Sequence, residues 1–233
     1  MMKVFKVIAN SLFPNKCISC GEIVENDDFL CDYCYELLER IDLLKICKRC
    51  GRNKKDCECK YRVFHFNGCV APFENKDIAR KSMYKFKFSK NMRTADFFGF
   101  EMAKAVETIY KEIDFDYITF VPMHFLKRLK RGFNQSQILA NKLSRILGIP
   151  LRDDLLNVKF SFCSQHDLDY KQRYENAKKL YKYKRKIAGK TVLLVDDIKT
   201  TGASLDACAK QMILAGAQNV YCVTGLITKR KER

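Results

Sequence analysis

One run constrains this chain more than any other. It begins with Val192, Leu193, Leu194 and Val195, four apolar residues in a row. That is the mark of a strand buried on both faces of a parallel sheet. Asp196 and Asp197 stand at its carboxyl end, and Thr200, Thr201, Gly202, Ala203 and Ser204 form a loop of small residues before a helix. A lone acidic pair would read as a solvated turn. Here each neighbour adds to one chemistry. Loop amides and a helix N-terminus favour an anion, and Gly202 lets backbone approach a ligand. The three hydroxyls add donors, and two adjacent carboxylates can accept from two neighbouring sugar hydroxyls. Such a site lies past the carboxyl ends of the strands, where open α/β sheets bind ligands. The Gly-spaced Lys-Ser/Thr pattern of a Walker loop is absent.

Eight of the twelve cysteines fall between Cys17 and Cys59. They come as close pairs: Cys17 with Cys20, Cys31 with Cys34, Cys47 with Cys50, and Cys57 with Cys59. In an intracellular chain this spacing means metal rather than disulfides. Four thiolates suit one tetrahedral Zn²⁺, and a site with all four positions filled is structural. Gly21 and Gly51 follow the second cysteine of their knuckles, where a tight turn needs positive φ. The expectation is two four-cysteine sites, a double zinc ribbon, with sequential and cross-braced pairings both open. Cys69, Cys163, Cys208 and Cys222 read as isolated small hydrophobes.

Lys and Arg number 44 against 27 Asp and Glu, a net charge of +17. That excess points to a polyanionic partner: nucleic acid, pyrophosphate or an acidic membrane surface. No apolar run is long enough to span a bilayer. Met1 to Phe13 is mildly amphipathic and lacks the features of a signal peptide. The expected location is cytoplasmic, with peripheral contact at the inner membrane left open. Residues 1–62 are expected to form the cysteine-rich ribbon and 63–233 the α/β domain.

From Asp77 the pattern turns helical, with Asp77 a candidate cap and Ala79, Met83 and Phe86 on one face. Tyr84-Lys85-Phe86-Lys87-Phe88, followed by Lys90, interleaves aromatics with cations. Lys85, Lys87 and Lys90 are candidate single-strand nucleic-acid contacts; an amphipathic helix with its aromatics inward is the other reading. A second helix is expected over Thr94–Lys111. Tyr117 to Val121 reads as a strand ended by Pro122, and a cationic loop over 127–131 follows it. Arginine suits phosphate through its planar fork. Asn134 is placed to cap the next helix, and Gly148 to Pro150 to stop it. Residues 155–160 read as a strand, 161–170 as a mobile loop containing His166, and Asn219 to Ile227 as a last apolar strand.

Residues 192–204 resemble the 5-phosphoribosyl-1-pyrophosphate (PRPP) signature of type I phosphoribosyltransferases at nearly every position. Pro122, His124, Arg128, Arg131, Gly132, Phe133, Asn134 and Gln135 resemble the competence protein F (ComF) family, which carries an N-terminal cysteine-rich ribbon. Gln165, Leu168, Gln172, Arg173 and Asn176 match a third motif of that family. After Asn176 the chain departs from it, with Ala177-Lys178-Lys179-Leu180-Tyr181 where a Gly-Ala-Phe-like ending is usual.

The resemblance implies a type I phosphoribosyltransferase-like parallel sheet flanked by helices, behind a small zinc ribbon domain. It implies PRPP binding with Mg²⁺, and a role in DNA uptake during natural transformation, handling single-stranded DNA. A competence helicase or an uptake channel is a further partner left open. Asp196 and Asp197 would hold ribose and serve as the catalytic pair. Thr200, Thr201, Gly202, Ala203 and Ser204 would hold the 5′-phosphate. His124, Arg128 and Arg131 would face pyrophosphate, and Gln165 and Arg173 would sit on the closing loop. The alternative is an active transferase in nucleotide metabolism or salvage, with an unidentified acceptor.

Overall fold

The computed structural model describes residues 14–25, 27–158 and 180–229. The chain opens with the two knuckle turns of the first ribbon and a short helix, α1 (Asp32–Glu36), that buries Cys34. The second ribbon follows and leads into strands β1 (Gly68–Val70) and β2 (Phe73–Glu74). Helices α2 (Asp77–Ser89) and α3 (Met92–Ile109) come next, then strand β3 (Tyr117–Phe120). Helices α4 (Phe125–Arg131) and α5 (Gln135–Leu147) precede strands β4 (Leu156–Val158) and β5 (Tyr181–Tyr183). The chain then runs through β6 (Thr191–Lys199), α6 (Ala203–Leu214) and β7 (Asn219–Ile227).

Five of these strands form one parallel sheet in the order β1–β7–β6–β3, with β2 pairing the far end of β7. β4 and β5 form a separate antiparallel pair. This is the expected α/β architecture, a parallel sheet flanked by helices and preceded by cysteine ribbons.

Alternation along the strands divides the core. Leu193 and Val195 of β6, with Val223 of β7, face α3, α5 and the first ribbon. Val192 and Leu194, with Val220 and Cys222, face α6 and the second ribbon through Phe64 and Phe66. Both clusters are buried, so the central strands are apolar on both faces, as a doubly covered parallel sheet requires. The first ribbon packs on one face and the second mainly on the other, with Ile46 of the second reaching the first cluster. Ribbon residues also seal the sheet edge: Arg40 bridges Phe73 antiparallel, and Ile41 N–H donates to Pro72 O at 2.8 Å.

Several local expectations hold. Asn134 Oδ1 accepts from Ser136 N–H at 3.1 Å, Gly148 ends α5 in the left-handed region, and Ala79, Met83 and Phe86 are buried together. Others need correction. Residues 127–131 are not a loop but most of α4, whose residues Leu, Lys and Arg are good helix formers. His124 Nδ1 accepts from Leu126 N–H at its start, and Gly132 stops it. Asp77 is the first residue of α2 and makes no cap bond; the capping position is Lys76. β6 runs four residues past Val195 because β7 keeps pairing with it, up to Lys199 opposite Ile227.

Candidate functional site

A cleft of about 350 Å³ opens past the carboxyl ends of β3 and β6. One wall is Tyr84 and Lys87 of α2. Another runs from Pro122 to His124 and on to Lys127 and Arg131 of α4. Asn134 to Ser136 close a third side, and Asp196, Asp197, Thr200, Thr201, Ala203 and Ser204 line the base.

The acidic pair is held rather than free. Asp196 Oδ1 accepts from Ser136 Oγ at 2.7 Å and from Asp197 N–H at 2.9 Å. Burial raises the Asp196 carboxyl to about 7, and the Asp197 charge beside it pushes the same way. The Ser136 hydroxyl and Lys87 work against that rise by favouring the ionised form. Asp197 Oδ2 faces Lys87 Nζ at 3.0 Å, with both side chains 15% exposed.

Behind the pair, β6 ends in the loop Thr200–Gly202. Gly202 has φ +73, and a Cβ there would lie 2.9 Å from Lys199 Cε, so the position favours glycine on two counts. Thr201 Oγ1 accepts from Ala203 N–H at 3.2 Å, and α6 starts with Ala203 and Ser204 in its first turn. First-turn N–H groups have no partner within their own helix.

The structure brings most of the expected residues together. Asp196, Asp197, Thr200, Thr201, Ala203, Ser204, His124 and Arg131 all line the cleft. Arg128 does not: it is exposed on α4, outside the lining. The α4 turn sends Lys127 and Arg131 inward instead. His124 spends Nδ1 on the α4 cap. Gln165, Arg173, His166 and Cys163 lie outside the described residues, as does Met1 to Phe13.

Ser136, Lys127 and Lys87 line the cleft without being sequence-based candidates for it. Ser136 sits two residues past a cap asparagine, where a first-turn side chain reaches the sheet end. Lys127 belongs to the basic run, from which only Arg128 and Arg131 were singled out. Lys87 lies next to the buried stripe of α2, one position after Phe86, and that adjacency was its only signal.

The three lysines grouped for nucleic acid separate. Lys87 turns into the cleft, whereas Lys85 and Lys90 are exposed. Of the interleaved aromatics only Phe86 enters the core. Tyr84 is half exposed, with Arg80 and Lys87 over its ring at 5.4 and 5.3 Å, and Phe88 is 77% exposed.

The cysteines gather as Cys17, Cys20, Cys31, Cys34 and as Cys47, Cys50, Cys57, Cys59. Within each set the four sulfurs lie within 4.8 Å of one another. The pairing is thus sequential, not cross-braced. Four thiols at that spacing with no other donor fit a closed structural Zn²⁺ site. Burial opposes ionisation of Cys17, yet backbone amides, that of Cys31 foremost, draw its pKa down to about 6, whereas burial pushes the Cys34 thiol up to about 12.

A family model described as phosphoribosyl transferase domain matches residues 100–233, more than half of the chain. The chain belongs to the phosphoribosyl transferase domain family. A model described as double zinc ribbon domain matches residues 8–64. The DNA utilization protein YhgH of Escherichia coli (strain K12) is 24% identical over 213 residues, covering 89% of this chain and 88% of that protein. Competence protein F of Haemophilus influenzae is 24% identical over 229 residues, covering 90% of this chain and 96% of that protein. The resemblance to the competence protein F group therefore holds along the phosphoribosyl transferase domain and its ribbon alike. A solved purine phosphoribosyltransferase from Pyrococcus horikoshii aligns over 55% of this chain and 69% of that one, with 26% identity and a TM-score of 0.36. That score is too low to bear on the cleft. Among the described residues no helix is long and apolar enough to cross a membrane.

Proposed function

We propose that this chain binds PRPP with Mg²⁺ in the cleft and serves DNA uptake or utilization, acting on single-stranded DNA. The observation that carries it is the acidic pair joined to a small-residue loop and helix start at the end of a buried parallel strand. Asp196 and Asp197 would accept from the two ribose hydroxyls. The amides and hydroxyls of Thr200 to Ser204 would hold the 5′-phosphate. Lys127 and Arg131, with His124 near them, would face the pyrophosphate; Arg128 is better placed for a second anion outside the cleft. Magnesium, when bound, supplies neutralising charge to the pyrophosphate. The names of the relatives support the DNA side of the reading. So does the exposed face of α2, where Phe88 and Tyr84 stand among Arg80, Lys81 and Lys85.

Isothermal titration with PRPP and Mg²⁺ tests the reading. Saturable binding is expected, and Asp196→Ala with Asp197→Ala should abolish it. Absence of heat from the unaltered protein would remove the proposal.

Asp196 also favours turnover. A carboxyl raised to about 7 can exchange a proton at neutral pH. In that reading a nitrogen nucleophile bonds to ribose C1 as the bond from C1 to the pyrophosphate oxygen breaks. Pyrophosphate leaves with the bonding pair, and the proton of the nucleophile passes to a cleft carboxylate. A screen of nucleobases and amides with labelled PRPP that yields no pyrophosphate would exclude it.

A further inference from the structure

The second ribbon grips the back of the loop that follows the acidic pair. Lys199, the last residue of β6, has a side chain that is 0% exposed. Its Nζ donates to Glu58 Oε1 at 2.7 Å and lies 5.4 Å from the centre of the Phe64 ring. Glu58 stands between Cys57 and Cys59, two of the second-ribbon thiols. The same Glu58 oxygen accepts from Arg52 Nε at 3.2 Å, and Arg52 is 5% exposed. Arg52 Nη2 then donates to Thr200 O at 2.9 Å, while Arg62 Nη1 donates to Thr201 O at 2.7 Å. Two consecutive loop carbonyls are thus taken up from the ribbon side, and the cleft lies on the other. Neither ribbon arginine that holds the loop needs to touch a ligand there.

Two buried cations share one carboxylate, Glu58, beside the second set of thiols. Arg52 Nη1 is buried with no hydrogen-bond partner among the described residues.

We propose that the second zinc ribbon is a positioning element for the Thr200–Gly202 loop: Glu58, fixed between two metal ligands, locks Lys199 and Arg52, and Arg52 and Arg62 set the loop backbone for a phosphate. Zinc in the second site then controls the affinity of the cleft, and zinc in the first does not. The ligand half of this inference rests on the reading of residues 200–204 as a phosphate loop. The loop-holding half stands without it.

The test uses the full chain in four forms: Arg52→Met, which leaves the Lys199–Glu58 pair intact, Arg62→Met, Cys57→Ser and Cys31→Ser. Zinc content, amide exchange over residues 200–206 and PRPP affinity with Mg²⁺ are read on each. Arg52→Met and Arg62→Met should keep both zincs, yet exchange the loop amides about tenfold faster and bind PRPP about tenfold more weakly, as expected for a lost charged hydrogen bond. Cys57→Ser should lose one zinc and do the same. Cys31→Ser should lose one zinc and do neither. Unchanged exchange in both arginine variants overturns the inference, as does equal loosening by Cys31→Ser. Faster exchange in a protein that never binds PRPP upholds the positioning role and removes the ligand reading alone.

Discussion

Lys87 Nζ of α2 lies 3.0 Å from Asp197 Oδ2 of β6, and the two side chains are equally shielded. This pair closes one end of the cleft and ties a helix that carries surface cations to the strand that carries the acidic pair. It divides the lysines of α2 into two populations with separate roles.

Charge reversal should expose that division. Lys87→Glu places a second anion against Asp197 and is expected to weaken PRPP binding about tenfold or more. Lys85→Glu with Lys90→Glu should leave PRPP binding unchanged and weaken binding of a labelled oligonucleotide, with a shallower salt dependence. Titration calorimetry and fluorescence anisotropy at two salt concentrations separate the two outcomes. Equal loss of PRPP binding in both variants would contradict the geometry.

The raised carboxyl of Asp196 gives a pH signature. An unfolded aspartate titrates near ~3.9, and the folded one near about 7. Between those values the native state holds more protons than the unfolded one. The stabilising contribution of this group is therefore fully present below pH ~4 and is lost as pH rises through about 7. Asp196→Asn lacks the titration, so its stability relative to the unaltered protein should rise from pH 5 to pH 8. The expected gain is on the order of 1–2 kcal/mol, allowing for partial exposure. Urea unfolding at several pH values measures it, and a constant difference would refute the assignment.

Zinc content should follow the two cysteine sets independently. The intact chain is expected to hold two zinc ions. Cys34→Ser should leave one, with the loss felt in the cluster shared with α3 and α5. Cys50→Ser should also leave one, with the loss felt against α6. Metal analysis beside thermal unfolding reports both. Two zincs lost by a single substitution would mean that the sites are not separate.

Gly225 of β7 is a packing constraint next to the site. A Cβ there would lie 2.5 Å from Met83 Cε, which can move, and 3.2 Å from both Asp197 O and Phe98 Cδ1, which are confined. Gly225→Ala is expected to cost about 1–3 kcal/mol by overpacking and to displace the backbone at Asp197. A lowered urea midpoint together with weaker PRPP binding is the expected result.

What could be read along the chain was what local chemistry decides. The apolar run 192–195, the Asn134 cap, the buried stripe of α2 and the cysteine spacing each carry their structural cause within a few residues. What could not be read depends on partners far away in the chain. The helical state of 127–131 was masked by its cations, whose phosphate chemistry suggested a loop. Lys87 looked like its neighbours Lys85 and Lys90 until Asp197, on another element, claimed it. The Lys199–Glu58 pair joins residues 141 positions apart, and no periodicity signals it. Sequential thiol pairing is fixed by where the sulfurs of each set meet in space, which the cysteine spacing alone leaves open.

The pairing of β1 with β7 has a consequence for biosynthesis. Asn67 Oδ1 accepts from Val220 N–H, a contact spanning 153 residues. A ribosome must therefore deliver β7 before the ribbons find the sheet edge they cover. Until then the cysteine modules have to fold around their metal alone, and the apolar flanks at Phe64, Phe66 and Val70 stay wet. Folding dominated by such distant closures is slow and exposes sticky intermediates. Scarcity of zinc during synthesis would then lower the yield of folded protein, over and above any effect on the finished molecule.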